Sequence, residues 1–305
     1  MWNINLKRLE DALFTKRWCI DYLSGDAVSL TELLCAAAPH IPGDEWPERI
    51  RSGGAHLNGA PILSDVEVHP LARVEYFEPN VFPTPSASYP AWSRDWIVFE
   101  DDDVLVINKP SRLPTLPVRE QATHNLRAYL ERYVGGSVHL PSRLDTSTTG
   151  LVIASKGTET HRPLQHAFEH RLVTKRYRCE LSGAPAFSRI VISSPIGHHP
   201  LHPVLRATHS RGKSALTTFS LIASRSTTSL VDAFPLTGRT HQIRVHAAAL
   251  GYPLVGDNFY NGAESSMLHL CCIELVLPHP RDGRELQVTL PNPKLPLWAQ
   301  ENVVS

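Results

Sequence analysis

The sequence has few cysteines, and their spacing matches no common disulfide or zinc pattern. Five cysteines occur in 305 residues, an odd number without the Cys-x-x-Cys pairs that thiolate zinc sites use. This pattern argues against a disulfide framework and against a thiolate zinc site. We therefore expect reduced thiols and a cytoplasmic protein.

Long apolar runs are also missing. No stretch of 18 or more apolar residues occurs, so the sequence predicts no membrane-spanning helix and no membrane partner. Residues 1–20 mix basic and acidic side chains without an apolar centre, so they do not resemble a secretory signal. A hydrophobic content of 42% and a charged content of 20% are typical of a globular protein. At this length we expect one large domain and a smaller one.

Several signatures of cofactor and metal chemistry are absent. The sequence contains no Gly-x-Gly-x-x-Gly dinucleotide motif, no Gly-x-Ser-x-Gly elbow and no His-Glu-x-x-His zinc helix. The segment 212–214 (GKS) looks like the end of a phosphate-binding loop, but Ala207 stands where that loop needs glycine. These motifs therefore do not explain the chemistry of the chain.

Sixteen histidines are many, and three lie close together, at 198, 199 and 202. Metal binding by this group is one interpretation. The alternative is a solvated loop, which the neighbouring Pro200 and Pro203 favour. We expect the loop and no metal site.

The net charge is zero, which would argue against a nucleic-acid partner if the charges were evenly spread. They are not. Residues 109–250 hold 19 Lys or Arg and 7 Asp or Glu, so a basic middle stands between acidic flanks. Such a distribution predicts a surface for an anionic ligand, and chance clustering along the sequence is the alternative.

The first 79 residues predict a small module of two helices followed by a hairpin. Ser29 is placed to cap a helix through Ala38, a second helix spans 44–51, and Asn58-Gly59 separates two short strand-like runs. Residues 49–59 (RIRSGGAHLNG) resemble the small RNA-binding module named after ribosomal protein S-four. Residues 28–39 carry no Lys or Arg, whereas the module's first helix is usually basic. A structural appendage therefore stays open as the alternative.

Residues 80–94 hold three prolines and several serines and predict a linker. Beyond it, strand and helix patterns interleave irregularly, which favours an α+β domain over 95–305 with a mixed or antiparallel central sheet. The predicted strands are 104–107, 151–154 and 174–181, and the predicted helices are 123–134, 158–171 and 239–250.

Two polar blocks remain as candidates for chemistry. Residues 142–156 (SRLDTSTTGLVIASK) place Asp145 beside an arginine in a polar turn before an apolar strand. Residues 238–246 (GRTHQIRVH) load polar groups onto a short helix that is otherwise apolar, which suggests a helix facing a cavity. Taken singly, Asp145 would be interpreted as a turn or cap residue and Arg244 as a surface cation.

Together the two blocks resemble the RluA-type family of pseudouridine synthases. Its signature reads His-Arg-Leu-Asp-x-x-Thr-Ser-Gly-Leu, followed by an apolar strand and Lys, and later Gly-Arg-x-His-Gln-Ile-Arg-Val-His. The resemblance runs in order over about residues 96–293 and includes 106–110 (VINKP), 175–177 (KRY) and 251–257 (GYPLVGD). The sequence departs from the signature at Ser142, where the family has His, at Thr149, where it has Ser, and at Arg112, where it has Gly.

The resemblance implies the pseudouridine synthase fold and a cofactor-free isomerisation of uridine in ribosomal or transfer RNA. It implies Asp145 as nucleophile or base, a choice that the sequence leaves open. Tyr177 would stack on the target base, and Arg244 is the candidate partner that aims Asp145 through bidentate hydrogen bonds. The implied substrate-binding residues are Arg143, Lys109, Thr148, Arg239, His241 and Gln242. Arg143 would enter the gap left by the extruded base. We expect a monomer with RNA as its partner.

Two other classes of protein compete with this interpretation. A catalytically silent RNA-binding protein need not keep Asp145, Tyr177 and Arg244 together. A hydrolase that uses Asp145 with a nearby His predicts a water-activating pair or a metal, and neither has a recognisable spacing in the sequence.

Overall fold

A computed structural model describes residues 3–9, 17–39, 41–51, 54–77, 89–116, 124–199 and 202–300. The chain divides into two compact units, one formed by residues 1–87 with 196–212 and the other by residues 88–195 with 213–305. Of the predicted linker 80–94, residues 80–88 lie outside the described residues.

The strands are numbered in chain order. They are β1 Asn3–Leu9, β2 Arg17–Ser24, β3 Val28–Ser29, β4 Ala55–Leu57, β5 Ala60–Ile62, β6 Glu67–Val68, β7 Ala72–Phe77, β8 Ile97–Glu100, β9 Val104–Lys109, β10 Thr149–Ser155, β11 Thr174–Ser182, β12 Arg189–Ile192, β13 Ile196–His199, β14 His202–Thr208, β15 Thr217–Ser224, β16 Thr228–Pro235, β17 Leu270–Pro278 and β18 Glu285–Thr289. The α-helices are α1 Leu30–Ala37, α2 Trp46–Arg51, α3 Leu126–Val134, α4 Thr158–Glu169 and α5 Gln242–Ala249.

The first unit contains the two predicted helices and the predicted hairpin. Ser29 caps α1 in a capping box with Glu32, because each side chain bonds the other's backbone N–H. The hairpin of β4 and β5 turns at Asn58 and Gly59, both with positive φ, as a tight two-residue turn requires. Strands β1, β2 and β7, which the sequence did not reveal, complete an antiparallel sheet in the order β1-β2-β7-β4-β5.

The three histidines at 198, 199 and 202 do not lie in an irregular loop. His198 and His199 end strand β13, which pairs antiparallel with β14, and His202 begins β14. The prediction was wrong for these three residues because backbone pairing between the two strands outweighs the local preference of proline. Pro200 lies outside the described residues.

The second unit is built on a nine-stranded sheet in the order β12-β15-β16-β11-β17-β10-β9-β8, with β18 paired to β17. The pairing of β10 with β17 is parallel, whereas the other pairings are antiparallel. The α+β class with a mixed sheet is therefore confirmed.

The parallel pair brings two backbones unusually close at Gly150. Gly150 has φ 102°, and a Cβ built there would lie 2.2 Å from the carbonyl oxygen of Cys272. Glycine is required at this position both for its backbone conformation and for the space. The close approach fixes the start of β10, immediately after the polar loop of residues 142–148.

The predicted helices of the second unit are present with small changes in their ends. Asn125 caps α3, and Gly135 ends it in the left-handed conformation with φ 73°. Helix α5 begins at Gln242 and not at Arg239, because His241 has a positive φ of 57° that cannot belong to a right-handed helix. Within the described residues, no helix is both long and apolar enough to cross a lipid bilayer.

Candidate active site

Asp145 lies in the loop that leads into β10, and neighbouring side chains hold this loop on both sides of the carboxylate. The Thr115 hydroxyl donates to the carbonyl oxygen of Leu144 at 2.7 Å and accepts from its N–H at 3.1 Å. The Ser111 hydroxyl donates to the carbonyl oxygen of Ser147 at 3.2 Å. Asp145 itself is 24% exposed. The loop backbone is therefore fixed while its carboxylate still meets solvent.

Lys109, which we expected to bind substrate, is instead fully buried. Its ammonium donates to the carbonyl oxygens of Pro110, Leu113 and Thr146 at 2.9, 2.8 and 3.2 Å. Burial lowers its pKa to about 7, although the charge of Asp145 acts in the opposite direction. With its donors occupied, Lys109 fastens the Asp145 loop to the segment after β9 and is not free to contact a ligand.

Arg244 is the centre of the charge arrangement on α5. It is buried, and its Nε and Nη2 each donate to a carboxylate oxygen of Asp257 at 2.7 Å. Its Nη1 lies 3.6 Å from Oδ2 of Asp145. The prediction that Arg244 pairs with Asp145 is thus met as an ion pair. The bidentate hydrogen bonds go to Asp257 and not to Asp145.

These hydrogen bonds also act on the protonation of Arg244. Burial alone would lower its pKa, but the hydrogen bonds and charge of Asp257, with a smaller contribution from Asp145, raise it. The guanidinium is therefore a fixed cation, held by one carboxylate and directed at another.

Two aromatic rings enclose this cation. The guanidinium carbon of Arg244 lies 4.8 Å from the ring centre of Phe259 and 5.3 Å from that of Tyr260. His241 stacks on Phe259, and its Nδ1 lies 2.9 Å from the hydroxyl oxygen of Tyr260. Its Nε2 lies 3.9 Å from Oδ2 of Asp145. The rings orient both groups that face the aspartate.

Gln242, also expected to bind substrate, is buried and already bonded. Its amide nitrogen donates to the carbonyl oxygen of Leu216 and to the hydroxyl of Thr217, each at 3.0 Å. Its amide oxygen accepts from the Thr237 hydroxyl at 2.7 Å and from the N–H of Arg239 at 3.0 Å. Both donors and both acceptor positions of the amide are used, so Gln242 shapes the loop before α5.

Tyr177 occupies the middle of β11, between β16 and β17, and is buried. Burial raises the pKa of its hydroxyl well above the ordinary value, and the nearby Cys272 and Asp145 act in the same direction. The hydroxyl is therefore protonated around neutral pH and can donate a hydrogen bond.

The predicted residues converge on one cavity of about 600 Å³. Asp145, Tyr177 and Arg244 line it together, and so do five of the six residues expected to bind substrate. These five are Arg143, Thr148, Arg239, His241 and Gln242, the last from a buried position. Lys109 is not in the lining.

The cavity is rich in cations that have no acidic partner. Within the part of the chain that the structure describes, Arg143, Arg171, Lys175 and Arg239 line it without a carboxylate oxygen within 4.0 Å. Arg143 donates instead to the hydroxyl of Thr240 at 3.1 Å. A cavity with surplus positive charge suits a polyanionic ligand.

The sequence did not single out three residues that build this site, namely Asp257, Phe259 and Tyr260. Asp257 ends the motif 251–257, and the two rings follow it after one intervening residue, Asn258. That adjacency was the available signal. The pairing of Asp257 with Arg244 joins residues 13 positions apart, and only the tertiary fold shows that the carboxylate turns inward.

One acidic cluster lies elsewhere in the second unit. Possible ligand atoms of Asp101, Asp103 and His279 lie within 4.8 Å of one another. Arg281 forms an ion pair with Asp103, and His279 lies 3.0 Å from Asp101. These pairings satisfy the cluster from within the protein.

A mixed-sheet domain with an aspartate–arginine pair in a cationic cavity suits an enzyme that acts on a polyanionic substrate, and comparison with known proteins identifies the family. Residues 103–249 match the family model described as RNA pseudouridylate synthase. The dual-specificity RNA pseudouridine synthase RluA of Vibrio vulnificus (strain CMCP6) is 32% identical over 221 residues, which cover 69% of this chain and 84% of that protein.

Two further similarities agree with this match. The ribosomal large subunit pseudouridine synthase D of Blochmanniella floridana is 32% identical over 229 residues, covering 67% of this chain and 71% of that protein. The solved structure of human RNA pseudouridylate synthase domain containing 1 has a TM-score of 0.54 at 29% identity, covering 66% of this chain and 84% of that chain. The chain therefore belongs to the RluA-type family of RNA pseudouridine synthases, isomerases that convert uridine in RNA to pseudouridine.

Proposed function

We propose that this enzyme modifies uridines of structured ribosomal or transfer RNA, with Asp145 as the reacting carboxylate and without a cofactor. One observation carries the proposal: Asp145 faces the buried cation of Arg244 at 3.6 Å in the wall of a cavity large enough for a base. The other carboxylate that lines this cavity, Glu169, is exposed at the end of α4. Asp145 is therefore the better placed of the two for chemistry.

The proposed reaction is balanced within the substrate. The bond between N1 of uracil and C1′ of ribose breaks, the base rotates, and C5 bonds to C1′. The C5 proton is lost and N1 regains a proton, so the step needs no oxidant, reductant or water. Asp145 acts on the sugar, either as a nucleophile at C1′ or as a base, and both roles fit a carboxylate held by a fixed cation.

Tyr177 is proposed to stack on the base after extrusion. Its ring is part of the cavity lining, and its raised pKa keeps the hydroxyl protonated. It would therefore donate a hydrogen bond and would not act as the base that removes the C5 proton.

Arg143 is proposed to replace the target base in the RNA stack. Its side chain is exposed and donates a hydrogen bond to the hydroxyl of Thr240. A guanidinium can both stack on bases and pair with phosphate. Thr148, Arg239 and His241 are proposed to contact the extruded nucleotide, since all three line the cavity. For Lys109 and Gln242 we now propose a positioning role, because their polar atoms are already bonded.

The choice of RNA class rests on the surplus positive charge of the cavity and on the relatives. One relative is named for the ribosomal large subunit, and another is named as dual-specific.

We also propose that the enzyme works in the cytoplasm as a monomer. Residues 1–79 would form an RNA-binding module, joined through the linker 80–94 to a catalytic domain that spans 95–305 apart from residues 196–212, which belong to the first unit. Deletion of residues 1–79 should weaken RNA retention on filters; unchanged affinity would make this module a structural appendage.

The substrate proposal is tested by mapping pseudouridines in total cellular RNA from cells with and without the protein. The targets are the sites that are missing from RNA of cells without the protein. Pseudouridine should form at these sites when that RNA is incubated with the purified wild-type chain in a metal-free, chelator-containing buffer. Missing sites confined to messenger RNA, or sites that return only after a cofactor is added, would contradict the proposal.

A further inference from the structure

Lys175 belongs to the same strand face as Tyr177. The two residues are two positions apart on β11, and alternate residues of a strand point to the same side of the sheet. Both line the cavity. Lys175 therefore stands next to the ring that is proposed to stack on the base.

The surroundings of Lys175 place its ammonium in the cavity wall. Nζ lies 5.7 Å from the ring centre of Phe168 and 3.8 Å from the point that a Cβ on Gly238 would occupy. The side chain thus extends between α4 and the loop that precedes α5. Both of these segments contribute to the cavity lining.

Within the part of the chain that the structure describes, Lys175 faces the ring of Phe168 but is not paired with a carboxylate. Among the described residues, no carboxylate oxygen lies within 4.0 Å of Nζ, and the structure shows no hydrogen-bond acceptor for it. Burial lowers its pKa from the ordinary value. An ammonium carries three donors and no acceptor, so an acceptor on a bound ligand would relieve the loss of solvent.

The position of Lys175 favours the base over the phosphate as this ligand. Arg143 and Arg171 are exposed, whereas Lys175 is only partly so. A phosphodiester continues on both sides into the RNA chain and stays at the mouth of a cavity, where the exposed arginines are. The part of an extruded nucleotide that enters furthest is the base.

Uracil offers two carbonyl oxygens, and the geometry of the reaction makes them equivalent. Rotation of the base about the axis through N3 and C6 exchanges N1 with C5 and O2 with O4. An ammonium that binds one carbonyl before rotation meets the other carbonyl in the same place afterwards. Cytosine keeps only the O2 carbonyl and carries an amino donor at C4, so an ammonium at the C4 side of the bound base can bind uracil and not cytosine.

We propose that Lys175 is a specificity-determining residue whose ammonium donates a hydrogen bond to a carbonyl oxygen of the extruded uracil. The proposal rests on the function proposed above, in which the target base enters this cavity. When the bond from N1 to C1′ breaks, its electron pair stays with the ring and spreads onto the two carbonyl oxygens. The hydrogen bond to Lys175 becomes stronger at that point and stabilises the transition state more than the bound substrate.

The test compares Lys175→Met, which removes the charge and keeps the length, with Lys175→Arg, which keeps a cationic donor. The probe is cellular RNA labelled with [5-³H]uridine, taken from cells that lack the protein, and tritium release is measured in single turnovers with excess enzyme. Lys175→Met should keep filter-bound RNA within about 2-fold of wild type and lower the rate about 10- to 100-fold. Lys175→Arg should recover most of that rate.

The pH profile separates this role from a structural one. The wild-type rate should fall at alkaline pH as the ammonium loses its proton, below the ordinary range for lysine, and the Lys175→Arg rate should hold its plateau to higher pH. Lys156→Met serves as a matched control, because Lys156 lies outside the cavity lining and forms an ion pair with Glu100.

Three results would overturn the proposal. One is a Lys175→Met rate within 3-fold of wild type. Another is a parallel loss of rate and RNA retention, which would assign Lys175 to the RNA backbone. The third is absence of tritium release from the wild type, which would overturn the proposed function as well. If the Asp145→Asn variant still released tritium, only the proposed role of that aspartate would be wrong. The rate of Lys175→Met relative to wild type would still test the role of Lys175.

Discussion

At the scale of single residues, the arginines around the cavity differ in whether they have a carboxylate partner. Arg244 forms ion pairs with the two carboxylates of Asp257 and Asp145. Arg143 instead donates a hydrogen bond to the neutral hydroxyl of Thr240. A cation with a carboxylate partner stays in place, while an exposed cation without one can move to a ligand. The first arrangement suits the aiming of a reacting group, and the second suits gripping of RNA.

This difference yields a prediction for Arg143→Ala. Extruding a base from a stacked helix costs a few kcal/mol, and the cost falls when the target is already unpaired. The variant should therefore lose about 10- to 100-fold in single-turnover rate on folded RNA but less than about 3-fold on a short unstructured fragment containing the same uridine. The measurement is tritium release from the two labelled substrates.

Arg171→Ala provides the matched comparison, because Arg171 is also an exposed arginine of the cavity. It should weaken RNA retention on both substrates by similar factors. If Arg143→Ala behaved in the same way, the arginine would be a backbone contact and not the residue that fills the stack.

At the scale of elements, the close pairing of β10 with β17 carries the Asp145 loop. A methyl group on residue 150 would meet the backbone of Cys272, at 2.2 Å from its carbonyl oxygen and 2.5 Å from its nitrogen, and it would also strain a φ of 102°. Neither backbone can retreat without breaking neighbouring strand pairs.

We therefore predict that Gly150→Ala lowers the free energy of unfolding by more than about 4 kcal/mol and abolishes activity. Gly157→Ala is the control, because Gly157 precedes α4 with φ −131° and a Cβ there meets no atom within 4 Å. It should lower the free energy of unfolding by at most about 1 kcal/mol. Urea unfolding measures both variants, and similar losses for the two would refute this account of the strand pair.

Elements with local signals could be predicted from the sequence. Helix α1 followed from Ser29 and its apolar spacing, and the hairpin of β4 and β5 followed from Asn58-Gly59. Strand β2 escaped because one of its sheet partners, β7, lies about 50 residues further along the chain. Sheet partners of that separation leave no local pattern.

The same limit applies to the site. The sequence placed Asp145, Tyr177 and Arg244 in one site, and they do line one cavity. It did not distinguish side chains that face the cavity from those that support it. Lys109 is polar in sequence but points at three backbone carbonyls, and burial of that kind is decided by tertiary packing.

At the scale of the whole molecule, buried charge networks tie the chain's final described segment to the nine-stranded sheet. Glu180 on β11 accepts from Arg225 at 2.7 Å and from Thr228 at 2.5 Å, and Nδ1 of His269 lies 2.7 Å from it. Arg225 also donates to the carbonyl oxygen of Trp298. Glu180 thereby connects three segments that are distant in sequence.

This network predicts how stability depends on acidity. Burial alone would raise the pKa of Glu180, but the hydrogen bonds from His269, Thr228 and Arg225 lower it from 4.5 to about 2. A carboxylate whose pKa is lowered in the folded state stabilises the fold above the unfolded value, and this contribution is lost as the pH falls through the folded value. Glu180→Gln should thus destabilise the protein most at pH 6 and progressively less from pH 4.5 towards pH 2.

The measurement is the urea midpoint of unfolding at pH 6, 4 and 3 for the wild type and the variant. Glu285→Gln, which changes an exposed carboxylate on β18, serves as the control and should leave the pH dependence unchanged. A difference between wild type and Glu180→Gln that stayed constant across this range would mean that the network does not lower the pKa of Glu180.

The most direct test of the central claim is tritium release by Asp145→Asn on [5-³H]uridine-labelled cellular RNA, with filter binding of the same RNA measured in parallel. Asparagine keeps the size of the side chain and removes its charge, while Arg244 keeps its bidentate partner Asp257. Asp282→Asn makes the same change at a partly exposed aspartate outside the cavity and controls for it. We predict RNA retention within about 3-fold of wild type and a loss of rate of at least about 10³-fold, or roughly 4 kcal/mol in activation free energy. Pseudouridine formation by Asp145→Asn at a rate within 10-fold of wild type would contradict this prediction.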